Sequence, residues 1–156
     1  MALKQAAISR NVSQKMDVKE GMRAFFVNAP KSALNAINPP SLEVESVLQG
    51  KFDYVHFFTK TMAEMDDLFP KLKRHLNPTG MLWLSWPKGR KLGTNLALPV
   101  VIKIGYSHGL VESTCLSVDK TWSGLKFTYP KKGKVYENSY GHLKPQRNLL
   151  QQYLPK

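Results

Sequence analysis

Short apolar runs alternate with segments of helical periodicity along the central part of the chain. Residues 22–27, 52–59 and 81–85 form such runs, and each begins within two residues of a glycine. Apolar runs of this length, bounded by turn residues, are typical of strands buried in a parallel sheet. Residues 42–47 instead alternate apolar and polar positions, which predicts a strand nearer the edge of that sheet.

Three helices are predicted between these strands. Pro30 suits a first helical turn and predicts a short helix over residues 31–37. Thr61 and Glu64 match a capping box before a second helix, which runs to residue 76 and contains a proline. Thr94 or Asn95 is expected to cap a third helix that starts near residue 95 and ends at residue 109.

The last two predicted strands cover residues 110–118 and 122–129 and are joined by a turn. The resulting alternation of strands and helices predicts an α/β fold with a mostly parallel sheet and a C-terminal antiparallel hairpin. Residues 21–129 form the single predicted domain. A polar lead-in with a short helix at 12–16 precedes it, and a basic tail over 130–156, with a helix at 145–154, follows it.

The composition limits the class of protein. A chain of 156 residues can bury a core without disulfides, and no stretch approaches the roughly 18 consecutive apolar residues of a membrane span. We therefore expect no membrane partner. Cys115 is the single cysteine, which fits a reducing compartment such as the cytoplasm.

The net charge of +12 is the unusual property of this composition. It indicates either a solvated surface or an anionic partner, most often a nucleic acid and less often an acidic lipid. The candidate nucleic-acid residues lie in a basic loop near residue 90 and in the tail: Lys88, Arg90, Lys91, Lys131, Lys132, Lys134, Lys144 and Arg147.

A second group of candidates follows the predicted strands. Ligands of open α/β sheets bind outside the carboxyl ends of the strands, where the strand order reverses. Aromatic rings, lysines and an aspartate at this edge can hold a planar or anionic ligand. Alternatively, the two tryptophans simply pack against each other. The candidate cleft comprises Asn28, Pro30, Thr59, Lys60, Trp86, Lys88, Asp119 and Trp122.

No motif predicts a catalytic residue or a metal site. The sequence contains no Walker phosphate loop, no His-Glu-x-x-His and no Cys-x-x-Cys. His56 lies in an interior strand, where a hydrogen-bonded core or cleft histidine is expected rather than a metal ligand. Cys115 is expected to be a small buried apolar group and not a nucleophile.

Three motifs resemble a small bacterial family of uncharacterised proteins: KEGMR running into VNAP over residues 19–30, SWPK at 85–88 and VDKTWSGLKF at 118–127. The resemblance covers roughly residues 14–129. It implies a three-layer, Rossmann-like fold, shortened and degenerate relative to S-adenosylmethionine-dependent methyltransferases. Members have an acidic start to the helix after SWPK, and residues 94–99 depart from that pattern.

The loop after the first strand bears on whether such a fold binds its cofactor. That loop is normally glycine-rich, because side-chain-free main chain can approach the cofactor closely. Here it reads Asn28-Ala29-Pro30, Pro30 has no amide hydrogen, and no Gly-x-Gly occurs anywhere. Glu43 and Glu45 are expected to lie within the second strand rather than to clamp a ribose. S-adenosylmethionine is therefore disfavoured, and no cofactor is expected.

Three functions remain open. The main prediction is a non-catalytic, Rossmann-like binding domain with a vestigial cofactor cleft and an unidentified ligand or protein partner. The first alternative is a nucleic-acid-associated basic protein. The second is a divergent S-adenosylmethionine-dependent methyltransferase, which is the only enzyme among the three.

Overall fold

The computed structural model describes residues 11–131, 136–138 and 141–143. Its elements follow the predicted order: α1 (Val12–Lys15), β1 (Arg23–Val27), α2 (Lys31–Ile37), β2 (Glu43–Val44), β3 (Phe52–Phe58), α3 (Met62–Lys73), β4 (Leu76–Pro87), α4 (Leu98–Ser107), β5 (Val111–Ser117) and β6 (Trp122–Thr128). A 3-10 segment spans Lys88–Gly93, and β7 (Tyr136–Asn138) and β8 (Gly141–Leu143) pair as a small separate hairpin.

Six strands form one sheet in the order β2-β1-β3-β4-β6-β5. The pairs from β2 to β4 are parallel, whereas β6 runs antiparallel to both β4 and β5. The predicted α/β fold, with a mostly parallel sheet and a hairpin of β5 and β6, is therefore confirmed. After β2 the chain crosses back over β1 to place β3, so the strand order reverses between β1 and β3.

Helices cover both faces of the sheet, as expected for three layers. Under α3 and α4, the first face buries Phe57, Phe69, Leu72, Leu84 and Val101. Under α1 and α2, the second face buries Met16, Ile37, Tyr54, Phe58 and Trp83. Full burial of each large apolar side chain contributes about 1.5–3 kcal/mol to folding. Among the described helices, none is long and apolar enough to cross a membrane.

Two predicted strand boundaries are wrong. β4 begins at Leu76 rather than at residue 81, since Leu76 pairs with Phe52 before a shift in register. Gly80 permits this irregular start, because a Cβ there would lie 2.9 Å from the carbonyl oxygen of Phe52. β2 has two residues instead of six, because the chain leaves the sheet after Val44.

The predicted start of α4 is also wrong. The helix begins at Leu98 rather than near residue 95, because the expected capping side chains bond elsewhere. The Thr94 hydroxyl donates a hydrogen bond to the carbonyl of Lys60, at the end of β3, at 2.7 Å. The side-chain oxygen of Asn95 accepts one from the amide of Met62 at 2.8 Å, so it caps the first turn of α3 instead.

Candidate functional site

The sequence-predicted cleft residues lie at one edge of the sheet. Because β1, β3, β4 and β5 run in the same direction, their carboxyl ends share this edge with the start of β6. Main-chain hydrogen bonds join neighbouring segments there. The amide of Thr59 donates to the carbonyl of Ser85 at 3.0 Å, and the amide of Lys88 donates to that of Thr121 at 2.8 Å. This edge is called the carboxyl edge below.

Asn28 forms the turn that leaves β1. Its φ of 58° is left-handed, a conformation that asparagine tolerates better than most residues. Its side-chain amide donates to the carbonyl of Phe58 at 3.2 Å and thereby links the ends of β1 and β3. Pro30 then precedes α2 as its N-cap and makes no side-chain capping bond. A sharp turn therefore exists at this position without glycine.

Thr59 and Lys60, at the end of β3, differ in exposure. Thr59 is 2% exposed, and its hydroxyl donates to the carboxylate of Glu64. The predicted capping box is therefore half formed. The amide of Glu64 donates a hydrogen bond to the Thr61 hydroxyl at 3.1 Å. The Glu64 carboxylate, however, accepts from the hydroxyl of Thr59 instead of from the amide of Thr61. Lys60 is exposed, and its carbonyl accepts from the hydroxyl of Thr94 at 2.7 Å.

The two candidate tryptophans lie on opposite faces of the sheet. Trp86 is 5% exposed and belongs to the core under α3 and α4. Trp122 is 8% exposed and packs edge-on against Phe58 in the other core, with ring centroids 5.3 Å apart. The alternative that they pack against each other is wrong. Both rings are core residues, so neither offers a free face to a ligand.

Lys88 and Asp119 each bond to residues in or beside the turn before β6. The Lys88 amine donates to the hydroxyl of Ser117, which ends β5. One carboxylate oxygen of Asp119 accepts from the amides of both Thr121 and Trp122 at 2.8 Å. Asp119 therefore shapes this turn.

The sequence did not predict a buried chain of three polar side chains. The Tyr54 hydroxyl lies 2.7 Å from His56 Nδ1, and His56 Nε2 lies 2.7 Å from the hydroxyl of Ser85. All three residues are 0% exposed. Burial lowers the pKa of His56 to about 3 and raises that of Tyr54, so both are neutral at physiological pH.

The sequence of hydrogen bonds from Ser85 through His56 to Tyr54 has the order of a nucleophile, a base and an orienting group. With no exposed surface on any member, however, no substrate contacts the Ser85 hydroxyl. Its role is to satisfy polar groups inside the core. The interpretation of His56 as a hydrogen-bonded core residue is confirmed. Cys115, by contrast, is exposed on β5 and not buried as predicted, and desolvation raises the pKa of its thiol.

The two acids near β2 do not reach the carboxyl edge. Glu43 lies in β2, but Glu45 follows it, contrary to the expectation that both lie in the strand. Their carboxylates lie 3.5 and 3.9 Å from Nε of Arg23. Since β2 pairs only with Arg23 and Ala24, it ends three residues short of the end of β1. A ribose at the carboxyl edge would find neither carboxylate beside it.

The basic loop Lys88–Gly93 lies beside the turn before β6. The Lys91 amine donates to the carbonyl of Lys120 at 3.1 Å. Arg90 and Leu92 have left-handed φ values of 61° and 55°. Of the tail candidates, Lys131 is described, whereas Lys132, Lys134, Lys144, Arg147 and the helix predicted at 145–154 lie outside the described residues.

Comparison with known proteins identifies the fold. No protein-family model matches this chain, and neither does any curated protein. Precorrin-6y C5,15-methyltransferase from Geobacter metallireducens is 9% identical, with 76% of this chain and 86% of that chain covered and a TM-score of 0.51. The PH0226 protein from Pyrococcus horikoshii is 11% identical, with 76% and 88% covered and a TM-score of 0.50.

A TehB-like SAM-dependent methyltransferase from Corynebacterium glutamicum is 11% identical, with 82% of this chain and 94% of that chain covered and a TM-score of 0.49. At such identities likeness speaks for the fold and not for an activity. The two likenesses with TM-scores of 0.51 and 0.50, together with the strand order of the sheet, give the chain a methyltransferase-like, Rossmann-like α/β fold, as its sequence motifs implied.

Proposed function

We propose that this chain is a divergent S-adenosylmethionine-dependent methyltransferase whose cofactor binds at the carboxyl edge, between β1 and β3. The observation that carries the proposal is the left-handed turn at Asn28, at the point where the strand order reverses. Open α/β sheets bind nucleotide-like ligands at such a point.

This turn answers the objection that the loop after β1 lacks glycine, although Pro30 still offers no amide hydrogen. Glycine is needed after β1 mainly where φ is positive, and Asn28 adopts that conformation itself. The methyl group of Ala29 packs with the core under α1 and α2, so it is used in packing rather than free over the cleft. Main chain at Asn28 and Ala29 is thus the surface that would hold the adenosyl part of the cofactor.

The fit is incomplete on the acidic side. Glu43 and Glu45 pair with Arg23 and lie short of the carboxyl edge. The ribose hydroxyls would therefore need other hydrogen-bonding groups. The exposed side chain of Asn28, in the turn itself, is one such group. S-adenosylmethionine supplies an electrophilic methyl group when it is bound. The contribution of this chain would be to hold and orient the cofactor through the turn after β1.

A non-catalytic binding domain with a vestigial cleft is the second candidate. It is favoured by the hydrogen bond from Asn28 to the carbonyl of Phe58, which ties together the two strand ends that a cofactor would contact. The ion pairs of Arg23 favour it as well, since they occupy both acids near β2.

Calorimetric titration with S-adenosylmethionine and S-adenosylhomocysteine tests the proposal, and α2 provides a matched pair of variants. Asn28 and Asn38 flank this helix, and both have left-handed φ values, 58° and 48°. Alanine at either position should lower the free energy of unfolding by about 1–2 kcal/mol. Only Asn28→Ala should weaken cofactor binding, by tenfold or more.

The outcomes separate the two candidates. Absence of heat with the wild type at millimolar cofactor would refute cofactor binding and leave the vestigial cleft. Equal loss of affinity in Asn28→Ala and Asn38→Ala would show that stability, not the turn, controls binding. Where binding is found, transfer of a labelled methyl group to macromolecules of a cell extract separates an enzyme from a binding domain.

A further inference from the structure

We propose that the carboxyl edge also binds the phosphate backbone of a nucleic-acid duplex. The surface consists of five cations on three adjacent segments, here called the basic rim: Lys60, Lys88, Arg90, Lys91 and Lys120. The proposal stands independently of cofactor binding.

Hydrogen bonds hold the three segments of the basic rim together. The carbonyl of Lys60 accepts from the Thr94 hydroxyl at 2.7 Å, which joins the end of β3 to the end of the basic loop. The carbonyl of Lys120 accepts from the amine of Lys91 at 3.1 Å, which joins that loop to the turn before β6. Four of the five cations are exposed, and Lys88 is half-buried.

The cations of the basic rim lack acidic partners within the described part of the chain. Elsewhere Arg23, Lys71 and Lys126 form ion pairs with carboxylates. At the carboxyl edge the nearby acids are Glu64 and Asp119, and both accept hydrogen bonds from other groups. A cluster of one sign, with few counter-charges, produces a field that attracts polyanions.

The other acids of residues 11–131 lie away from this edge. They precede β1, lie in or just after β2, begin β3 and β5 or follow the exposed side of α3: Asp17, Glu20, Glu43, Glu45, Asp53, Asp66, Asp67 and Glu112. Because β1, β3 and β5 start at the opposite edge of the sheet, much of the negative charge lies there. The opposite edge also carries cations, including Arg23, Lys51 and Arg74, so charges of both signs mix there, whereas the carboxyl edge has the five cations of the basic rim and two acids.

The loop of the basic rim is held in an unusual conformation. Arg90 and Leu92 are left-handed at a cost of about 1–2 kcal/mol each, and residues 89–93 are all exposed. Burial of their side chains does not offset that cost. The conformation is held by main-chain bonds, from Thr94 to the carbonyl of Lys91 at 3.1 Å and from Lys88 to that of Thr121. Strain that persists in exposed loops is concentrated at ligand sites.

The surrounding side chains favour a duplex over a single strand or a membrane. Single strands bind by stacking bases on exposed aromatic rings, and within residues 11–131 no aromatic side chain is exposed. Leu92 is the one large apolar side chain of the loop. Membrane anchoring requires a larger apolar surface. Of these three ligands, the basic rim best fits a duplex that is bound through its phosphates without contacts to the bases.

The affinity of the full chain for a fluorescently labelled DNA duplex of about 20 base pairs, measured by fluorescence anisotropy, tests this inference. One variant carries Lys60→Gln, Arg90→Gln, Lys91→Gln and Lys120→Gln. The control variant removes an equal number of charges, three lysines and one arginine, outside the basic rim: Lys19→Gln, Lys71→Gln, Arg74→Gln and Lys103→Gln. Four phosphate contacts on a duplex predict about a 150-fold loss of affinity between about 50 and 200 mM salt. The basic-rim variant should lose most of that salt dependence, and the control variant should keep it.

Three results would overturn the inference. Equal weakening in both variants would mean that net charge, not the basic rim, drives binding. Tighter binding to the matching single strand would exclude duplex recognition, and binding to phosphatidylserine vesicles but not to the duplex would indicate a lipid surface. Cofactor titration of the basic-rim variant keeps the two proposals separate. Loss of duplex binding with unchanged cofactor binding supports the basic rim, and duplex binding without any cofactor binding refutes only the proposed enzyme.

Discussion

The buried imidazole of His56 makes the stability of this domain dependent on pH. Its pKa is about 3 in the folded protein and about 6.5 in an unfolded chain. Between these values the unfolded chain takes up a proton that the folded protein does not, so the free energy of unfolding falls as the pH falls. Above pH 6.5 this group causes no loss. At pH 5 the loss is about 2 kcal/mol, the next unit adds about 1.3 kcal/mol, and the unit down to pH 3 adds about 1 kcal/mol.

Urea denaturation of the wild type and of His56→Gln, followed by tryptophan fluorescence at pH 7.5 and pH 5, measures this effect. At pH 7.5 the variant should be less stable by about 1–3 kcal/mol, because Tyr54 and Ser85 lose a well-placed partner. At pH 5 the difference should shrink by about 2 kcal/mol, since glutamine does not titrate. Contributions of the other three histidines cancel in the comparison. Parallel losses in both proteins, or an NMR titration of His56 near pH 6.5, would refute the reasoning.

Substitutions at three further positions test the packing and the cap, each by chemical denaturation. Trp86→Ala should lower the free energy of unfolding by about 3–5 kcal/mol, because the ring is 5% exposed; a loss below 1 kcal/mol would contradict its core position. Gly105→Ala should cost about 1–3 kcal/mol, because the new Cβ would lie 2.1 Å from the Phe127 ring; unchanged stability would show that the ring moves freely. Thr61→Ala should cost about 1 kcal/mol and Thr61→Ser much less, since the hydroxyl caps α3; equal losses would exclude the cap.

Elements with local signals could be predicted from the sequence. The bounds of α2 agree with the prediction, because Pro30 and the residues after Ile37 mark both of its ends. The strand predicted over residues 52–59 differs from β3 by one residue. The start of α4 could not be placed, because Thr94 and Asn95 are good capping residues whose side chains bond to other segments.

The candidate site was predicted in location but not in detail. Topology brings Asn28, Thr59 and Asp119 to one edge, because parallel strands end together. Which side chains remain accessible there depends on packing. Thr59, for example, is buried, and its hydroxyl is bonded to Glu64. The partnership of His56 with Ser85, 29 residues away, depends on the register between β3 and β4. Both faces of β3 and β4 are buried, so the hydrophobic pattern does not specify that register.

The brevity of β2 has a consequence for the behaviour of the protein at high concentration. An outermost strand presents unpaired amides and carbonyls to which another molecule can add a strand. Here β2 is only two residues long, and the carboxylates of Glu43 and Glu45 would have to be desolvated before a strand of another molecule could pair with it. Although Val44 is 57% exposed, we expect this side of the sheet to resist edge-to-edge polymerisation.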